Sequence, residues 1–347
     1  MDFENEIKNL LKDHKYQEVL DKLKNAEMTL NLYLFKGDAY YELMQFEDAI
    51  SAYTNALELS DTNVKAYNNR GNANGNLGRF EEAIEDYNKA IELNPKYAEA
   101  YFNRGFVNYN LKRIQASIAD YNKAIELNPD NFMAYNNRGN AKNYLKDYND
   151  AISDFDKSIE INSNHNTYFN RGLVKENIED FKGSIADYDK ALELKPDDIQ
   201  IRLKRGFAKY KLKDYNDAIK DFKIILKDVP DNVDALIVSG MSYFKLENYQ
   251  QALEAYNKAL DLNPNFADGY INRSIVCTKL GNYEQVKNDI KTMFSMDIFK
   301  NDYISTFQTI QEILSEENSD KSMSFLKEIE ELEKEIPNRF SKKETVQ

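Results

Sequence analysis

The chain has 347 residues, 42% hydrophobic and 30% charged, with a formal net charge of −13. That length suits two or three ordinary domains or one extended array, and the negative balance disfavours nucleic-acid phosphate, whose recognition needs basic patches. Only 6 prolines and 12 glycines argue against a turn-rich β protein, and one cysteine, Cys277, excludes an internal disulfide framework and favours a reducing, cytoplasmic setting.

The chain opens on MDFENEIKNLLKDHK, which is acidic and lacks the apolar stretch of a secretory signal. No later apolar run is long enough for a membrane span. Residues 1–29 read as an eroded unit, because YQEVLDKL (16–23) matches FEDAISAY (46–53). From residue 30 the self-similarity is plain. Gly37, Gly71, Gly105, Gly139, Gly172, Gly206 and Gly240 stand 34 residues apart, or 33 between Gly139 and Gly172. Twelve residues after each comes a small residue (Ala49, Ala83, Ser117, Ala151, Ser184, Ala218, Ala252). Four further on comes an aromatic one (Tyr53, Tyr87, Tyr121, Phe155, Tyr188, Phe222, Tyr256). Pro95, Pro129, Pro196, Pro230 and Pro264 close five of the units. Each unit therefore reads as helix, short turn, helix, then breaker. One such hairpin cannot bury its apolar face alone, so the units must stack.

This pattern resembles the tetratricopeptide repeat, with its Gly, second-helix Ala, aromatic and closing Pro at the family offsets. The resemblance implies an all-α, right-handed superhelical solenoid that binds proteins. With each Gly as position 8, the repeats span 30–63, 64–97, 98–131, 132–164, 165–198, 199–232, 233–266 and a degenerate 267–300, which has Ser274 for Gly and Val286 for Ala. Capping helices are expected over 301–336, where SFLKEIEELEKEI (324–336) is amphipathic, and 337–347 reads as a disordered tail.

Placed on a helical wheel of about 100° per residue, positions 4, 7, 8 and 11 of the first helix face its partners, while 2, 6, 9 and 13 point the other way. Position 7 is Arg70, Arg104, Arg138, Arg171, Arg205 and Arg273, but Lys36 and Ser239 in two repeats. Position 23 is Asp86, Asp120, Asp154, Asp187, Asp221 and Asp289, but Ala52 and Ala255 in the same two. This paired loss predicts a structural Arg–Asp salt bridge within each hairpin. The alternative is an Arg ladder for anionic groups.

Position 6 is Asn69, Asn103, Asn137 and Asn170 in four successive repeats, then Lys204, Val238 and Asn272. A carboxamide offers a donor and an acceptor like a peptide group, so such a row can hold an extended backbone. Asn72, Phe106, Asn140, Leu173 and Phe207 at position 9, with Tyr41, Tyr109, Tyr210 and Phe244 at position 12, complete the expected groove. Lys204 and Val238 suggest a second, more apolar subsite. The row is similar to the asparagine ladder in the tetratricopeptide superhelix of O-linked N-acetylglucosamine transferase, matched by Asn69, Asn103, Asn137, Asn170 and Asn272, with no counterpart of its catalytic domain. The alternative is compositional drift in an Asn-rich chain. The family's carboxylate clamp matches poorly: Asn140 and Asn170 fit, Lys204 stands where an arginine belongs, and Asn136 and Gln200 stand where lysines belong.

Chemistry is sparse. The two histidines, His14 and His165, lie in different units; no metal-ligand spacing, phosphate loop or nucleophile triad is visible. Cys277, at a packing position, reads as core. The sequence thus predicts a non-catalytic scaffold binding a peptide segment of a protein partner in its groove, without cofactor, metal, nucleic acid or membrane. A self-assembling structural protein and a cochaperone-like adaptor for C-terminal carboxylates are the alternatives.

Overall fold

The computed structural model describes residues 3–296 and 300–333, and the helices below account for its secondary structure; among the described residues there is no strand. Two units divide the chain, Met1–Ile178 and Glu179–Gln347. The first holds α1 (Phe3–Lys12), α2 (Tyr16–Leu23), α3 (Leu30–Glu42), α4 (Phe46–Leu59), α5 (Val64–Asn76), α6 (Phe80–Leu93), α7 (Ala98–Asn110), α8 (Ile114–Leu127), α9 (Phe132–Tyr144), α10 (Tyr148–Ile161) and α11 (His165–Asn177). The second holds α12 (Phe181–Leu194), α13 (Ile199–Lys211), α14 (Tyr215–Asp228), α15 (Val233–Lys245), α16 (Tyr249–Leu262), α17 (Ala267–Lys279), α18 (Tyr283–Ser295), α19 (Lys300–Glu317) and α20 (Asp320–Glu333). The expected tail, 337–347, lies outside the described residues.

Local chemistry sets the helix ends. Asn63, Asn131, Asn164, Asp198 and Asn232 cap the first helices, each side chain accepting from the backbone N–H three residues on. Within a hairpin the first helix ends at a residue of positive φ, such as Lys112 (61°), Lys146 (66°) or Lys213 (65°). The next N–H then donates back across the turn, as Arg113 N does to the Asn108 carbonyl at 2.8 Å.

The conserved spacing of Gly and aromatic has a steric cause. A Cβ on Gly71 would lie 2.7 Å from the Tyr87 ring, and one on Gly105 would lie 2.9 Å from that of Tyr121. Gly at position 8 therefore makes room for the second helix's aromatic ring more than for the small residue of position 20. Tyr53, Tyr87, Tyr121, Phe155, Phe222 and Tyr256 fill the hairpin cores almost without exposure. Burying a ring of this size contributes roughly 1.5–3 kcal/mol. At the C-terminal end, α19 and α20 supply Phe307, Ile310, Leu314, Phe325 and Ile329 to a core shared with Cys277, Val286 and Ile290. The Tyr283 and Phe325 rings stack there, 4.5 Å apart.

Candidate functional site

The Arg residues of position 7 are fixed from three sides. Nη2 of Arg70, Arg104, Arg138 and Arg273 lies 2.6, 2.6, 2.5 and 2.6 Å from Asp86, Asp120, Asp154 and Asp289 of the same hairpin, and Arg205 pairs likewise with Asp221. The carboxylates are at most 5% exposed. Nη1 turns to the preceding repeat, reaching Thr54 (3.2 Å), Asn88 (2.6 Å), Asn122 (2.7 Å), Asp189 (2.6 Å) or Asn257 (2.9 Å). The guanidiniums of Arg70, Arg104, Arg138 and Arg273 also lie over the Tyr of position 4, 5.5 Å from the Tyr67 centroid and 5.3 Å from that of Tyr270, whereas Arg205 has Arg202 at that position. Those tyrosines are half-buried, so position 4 is a cation–π platform and not the full core position its helical spacing suggested.

Arg171, in the first unit, holds Asp156 at 2.5 Å; its expected partner Asp187 is buried in the second unit. A further partner reaches the same carboxylates from position 11: Asn74 on Asp86 (3.2 Å), Asn108 on Asp120 (2.9 Å), Lys142 on Asp154 (2.9 Å) and Lys209 on Asp221 (2.8 Å). Burial pushes the Asp86 carboxyl above its ordinary value, against the opposing pull of Arg70.

The opposite side of the first helices carries the predicted groove residues. Asn103 donates to Asn68 (3.1 Å), Asn68 to Asn69 (3.2 Å), and Asn69 to Asp38 (2.9 Å), which also accepts from Lys65 (2.9 Å) and the Tyr53 hydroxyl (2.8 Å). Asn170 donates to Asn136 (3.1 Å) and Asn136 to Asn137 (3.1 Å). The row is thus a relay running through position 5, where Asn68 and Asn136 alternate with Phe102 and Phe169.

Two contiguous clefts open along this face of α3, α5 and α7, sharing Tyr41 and Asn72. One, of about 380 Å³, is lined by Tyr16, Asp38, Glu42, Lys65, Asn69 and Glu99 among others. The other, of about 200 Å³, is lined by Gly75, Asn76, Phe80, Tyr87, Asn103, Phe106 and Val107. Asn72 accepts from the Tyr87 hydroxyl at 2.8 Å. Phe106 is 51% exposed. Tyr109 meets Tyr144 edge-on at 6.4 Å, with Lys112 over both rings. Asn140 and Leu173 are half-buried and line neither cleft.

In the second unit Phe207 stacks on Tyr210 with Lys211 over it. Tyr210 lines a cleft of about 270 Å³ with Met241, Phe244, Asn272, Ile275 and Thr309. Lys204 is half-buried and is not part of that lining. Sequence reasoning marked the face but did not single out Asp38, Glu99 and Asn76, which stand at its positions 9, 2 and 13.

Comparison with known proteins decides the family. A TPR repeat model matches 37–78, 76–112 and 179–213, and tetratricopeptide repeat models match 98–131, 132–165, 233–266 and 200–232, more than half of the chain together. The chain belongs to the tetratricopeptide repeat family. Repeats of this family mediate protein–protein interaction, and the scaffold is generally non-catalytic. Among solved structures, a tetratricopeptide repeat protein from Parabacteroides merdae ATCC 43184 matches with a TM-score of 0.51 at 17% identity, covering 71% of this chain and 98% of its own. YrrB, a TPR protein described as having an unusual peptide-binding site, matches with a TM-score of 0.49 at 27% identity, covering 53% and 95%. The first TPR of Spaghetti (RPAP3), bound to the HSP90 peptide SRMEEVD, matches with a TM-score of 0.33 at 30% identity, covering 34% and 93%. Comparison with curated sequences finds no match. Among the described residues, no helix is long and apolar enough to cross a membrane, and no group of His, Cys, Asp and Glu is placed to hold a metal ion.

Proposed function

We propose that this tetratricopeptide chain is a non-catalytic scaffold that holds an extended segment of a protein partner on the first-helix face of its first unit. The observation that carries the reading is the relay of Asn68, Asn69 and Asn103 beside half-exposed rings. Each carboxamide nitrogen bears two hydrogens. Asn69 and Asn103 each spend one on a neighbour, and Asn103 has a second N–H for a backbone carbonyl. Because the relay fixes their rotamers beforehand, less side-chain freedom is lost on binding. Phe106, Tyr109 and Tyr144 supply the apolar contact that carboxamides lack. The Arg row is spent on structure, with its guanidiniums forked to buried carboxylates, and does not serve anionic ligands.

The test is retention of an unbiased peptide library on the immobilised chain, against a variant with Asn69, Asn103, Asn137 and Asn170 changed to Ala and checked for folding by circular dichroism. The reading expects the variant to lose most bound peptides; unchanged retention by the folded variant would refute it.

A further inference from the structure

We propose that Gly75 keeps a notch open for an aromatic side chain of the bound segment, flanked in that segment by a basic residue. The inference rests on the groove reading above and names the partner's chemistry.

Gly75 is unlike the glycines of position 8. At Gly37, Gly71, Gly105, Gly139, Gly206 and Gly240 an added Cβ would fall 2.4–2.9 Å from an aromatic ring, so packing demands glycine. At Gly75 an added Cβ would meet nothing nearer than Val107 Cγ2 at 3.8 Å and the Tyr87 hydroxyl at 3.9 Å, ordinary contact distances. The residue lies inside α5 without a positive φ. A glycine there costs the helix about 1 kcal/mol relative to alanine, and neither packing nor backbone geometry requires it.

Its effect is the empty space above it. Gly75 occupies position 12, where the flanking repeats carry Tyr41 and Tyr109. With no side chain in that place, the cleft of about 200 Å³ opens between Tyr41 and Phe106. Apart from the second N–H of Asn103, the polar groups around it are engaged. Asn76 donates to the Tyr41 hydroxyl and to the Asn72 carbonyl, both at 2.9 Å; the Tyr87 hydroxyl donates to Asn72 and Asn103 donates to Asn68. What the notch offers a side chain is ring surface from Tyr41, Phe80 and Phe106. A partner's ring there takes the place in the position-12 row that Gly75 leaves vacant and meets its neighbours edge-on or offset.

Charge complementarity supplies the flank. The adjoining cleft presents Asp38, Glu42 and Glu99 against a single base, Lys65. A basic side chain beside the ring is favoured there over an acidic one.

The experiment uses the full chain and a set of capped synthetic peptides, Ala/Ser-based, carrying one Tyr, Phe, Leu or Ala flanked by either Lys or Glu. Retention is measured on the wild type, Gly75→Tyr and Gly75→Ala. The wild type is expected to retain Tyr and Phe peptides with Lys flanks at least ten-fold over their Ala or Glu counterparts. Gly75→Tyr, which fills the notch with the flanking repeats' own side chain, should erase the aromatic preference while weakly retained peptides stay bound. Gly75→Ala should keep the preference and melt at a higher temperature. Aromatic preference unchanged in Gly75→Tyr, or absent from a wild type that still retains peptides, overturns the notch and leaves the groove standing. A Gly75→Ala variant that melts lower shows a packing role for the glycine and likewise overturns it. Failure of the wild type to retain any peptide overturns both readings.

Discussion

At the scale of the residue, the Arg of position 7 binds the array together. Its fork closes one hairpin, its Nη1 reaches the hairpin before, and, Arg205 excepted, its face lies over a tyrosine. Buried pairs of this kind give little net stability when compared with an apolar replacement, but breaking one strands a charge at a cost of about 3–5 kcal/mol. Asp120→Ala should therefore lower the urea midpoint more than Asp120→Ala combined with Arg104→Leu. Equal losses would contradict the pairing. The inter-repeat arm was legible too, though unread: position 25 carries an acceptor wherever an Arg follows, and Lys223 where Ser239 follows. Cys277 shows the same dependence on surroundings. Burial pushes its thiol up to about 12, above the ordinary value near about 8.5. Raising the pH through that ordinary value creates thiolate in the unfolded chain and not in the folded one. Iodoacetamide at pH 8.5 should alkylate the native chain at least about ten-fold more slowly than the urea-unfolded chain; equal rates would place the thiol outside the core.

At the scale of the element, each hairpin turn asks one residue to adopt a left-handed conformation. Gly78 and Gly281 meet this freely, but Lys146 and Lys213 do so at φ of 66° and 65°. A left-handed residue with a Cβ costs roughly 1–2 kcal/mol. Lys146→Gly is expected to stabilise the chain by about 1 kcal/mol, read as a higher melting temperature; a fall would mean that the lysine side chain makes a compensating contact. The repeat period, helix pairing and Gly–aromatic register were legible because each recurs and its cause is steric. The clefts were not, since they arise where one repeat departs from its neighbours, as at Gly75, and averaging over repeats hides such departures. The carboxamide relay was half legible: position 6 stood out by constancy, while position 5 alternates and reads as noise until the side chains are placed.

At the scale of the whole molecule, the family fold turns local hairpins into a surface on which successive first helices present equivalent positions side by side. The C-terminal pair α19 and α20 closes an apolar core that an open-ended array would leave exposed. Phe325→Ala removes the ring stacked on Tyr283 and should cost about 3–5 kcal/mol, seen as early loss of helicity on heating. A shift below about 1 kcal/mol would show that the pair is not integral to that core. The first-helix face of the first unit is the proposed seat of an extended partner segment. The most direct measurement is photo-cross-linking of a library-selected peptide, bearing benzophenone at successive positions, with adducts mapped by mass spectrometry. Adducts are expected on α3, α5, α7 and α9, near Asn72, Phe106 and Tyr144, moving in step with the position of the probe. Adducts confined to the second helices or to α19 and α20 would contradict that placement.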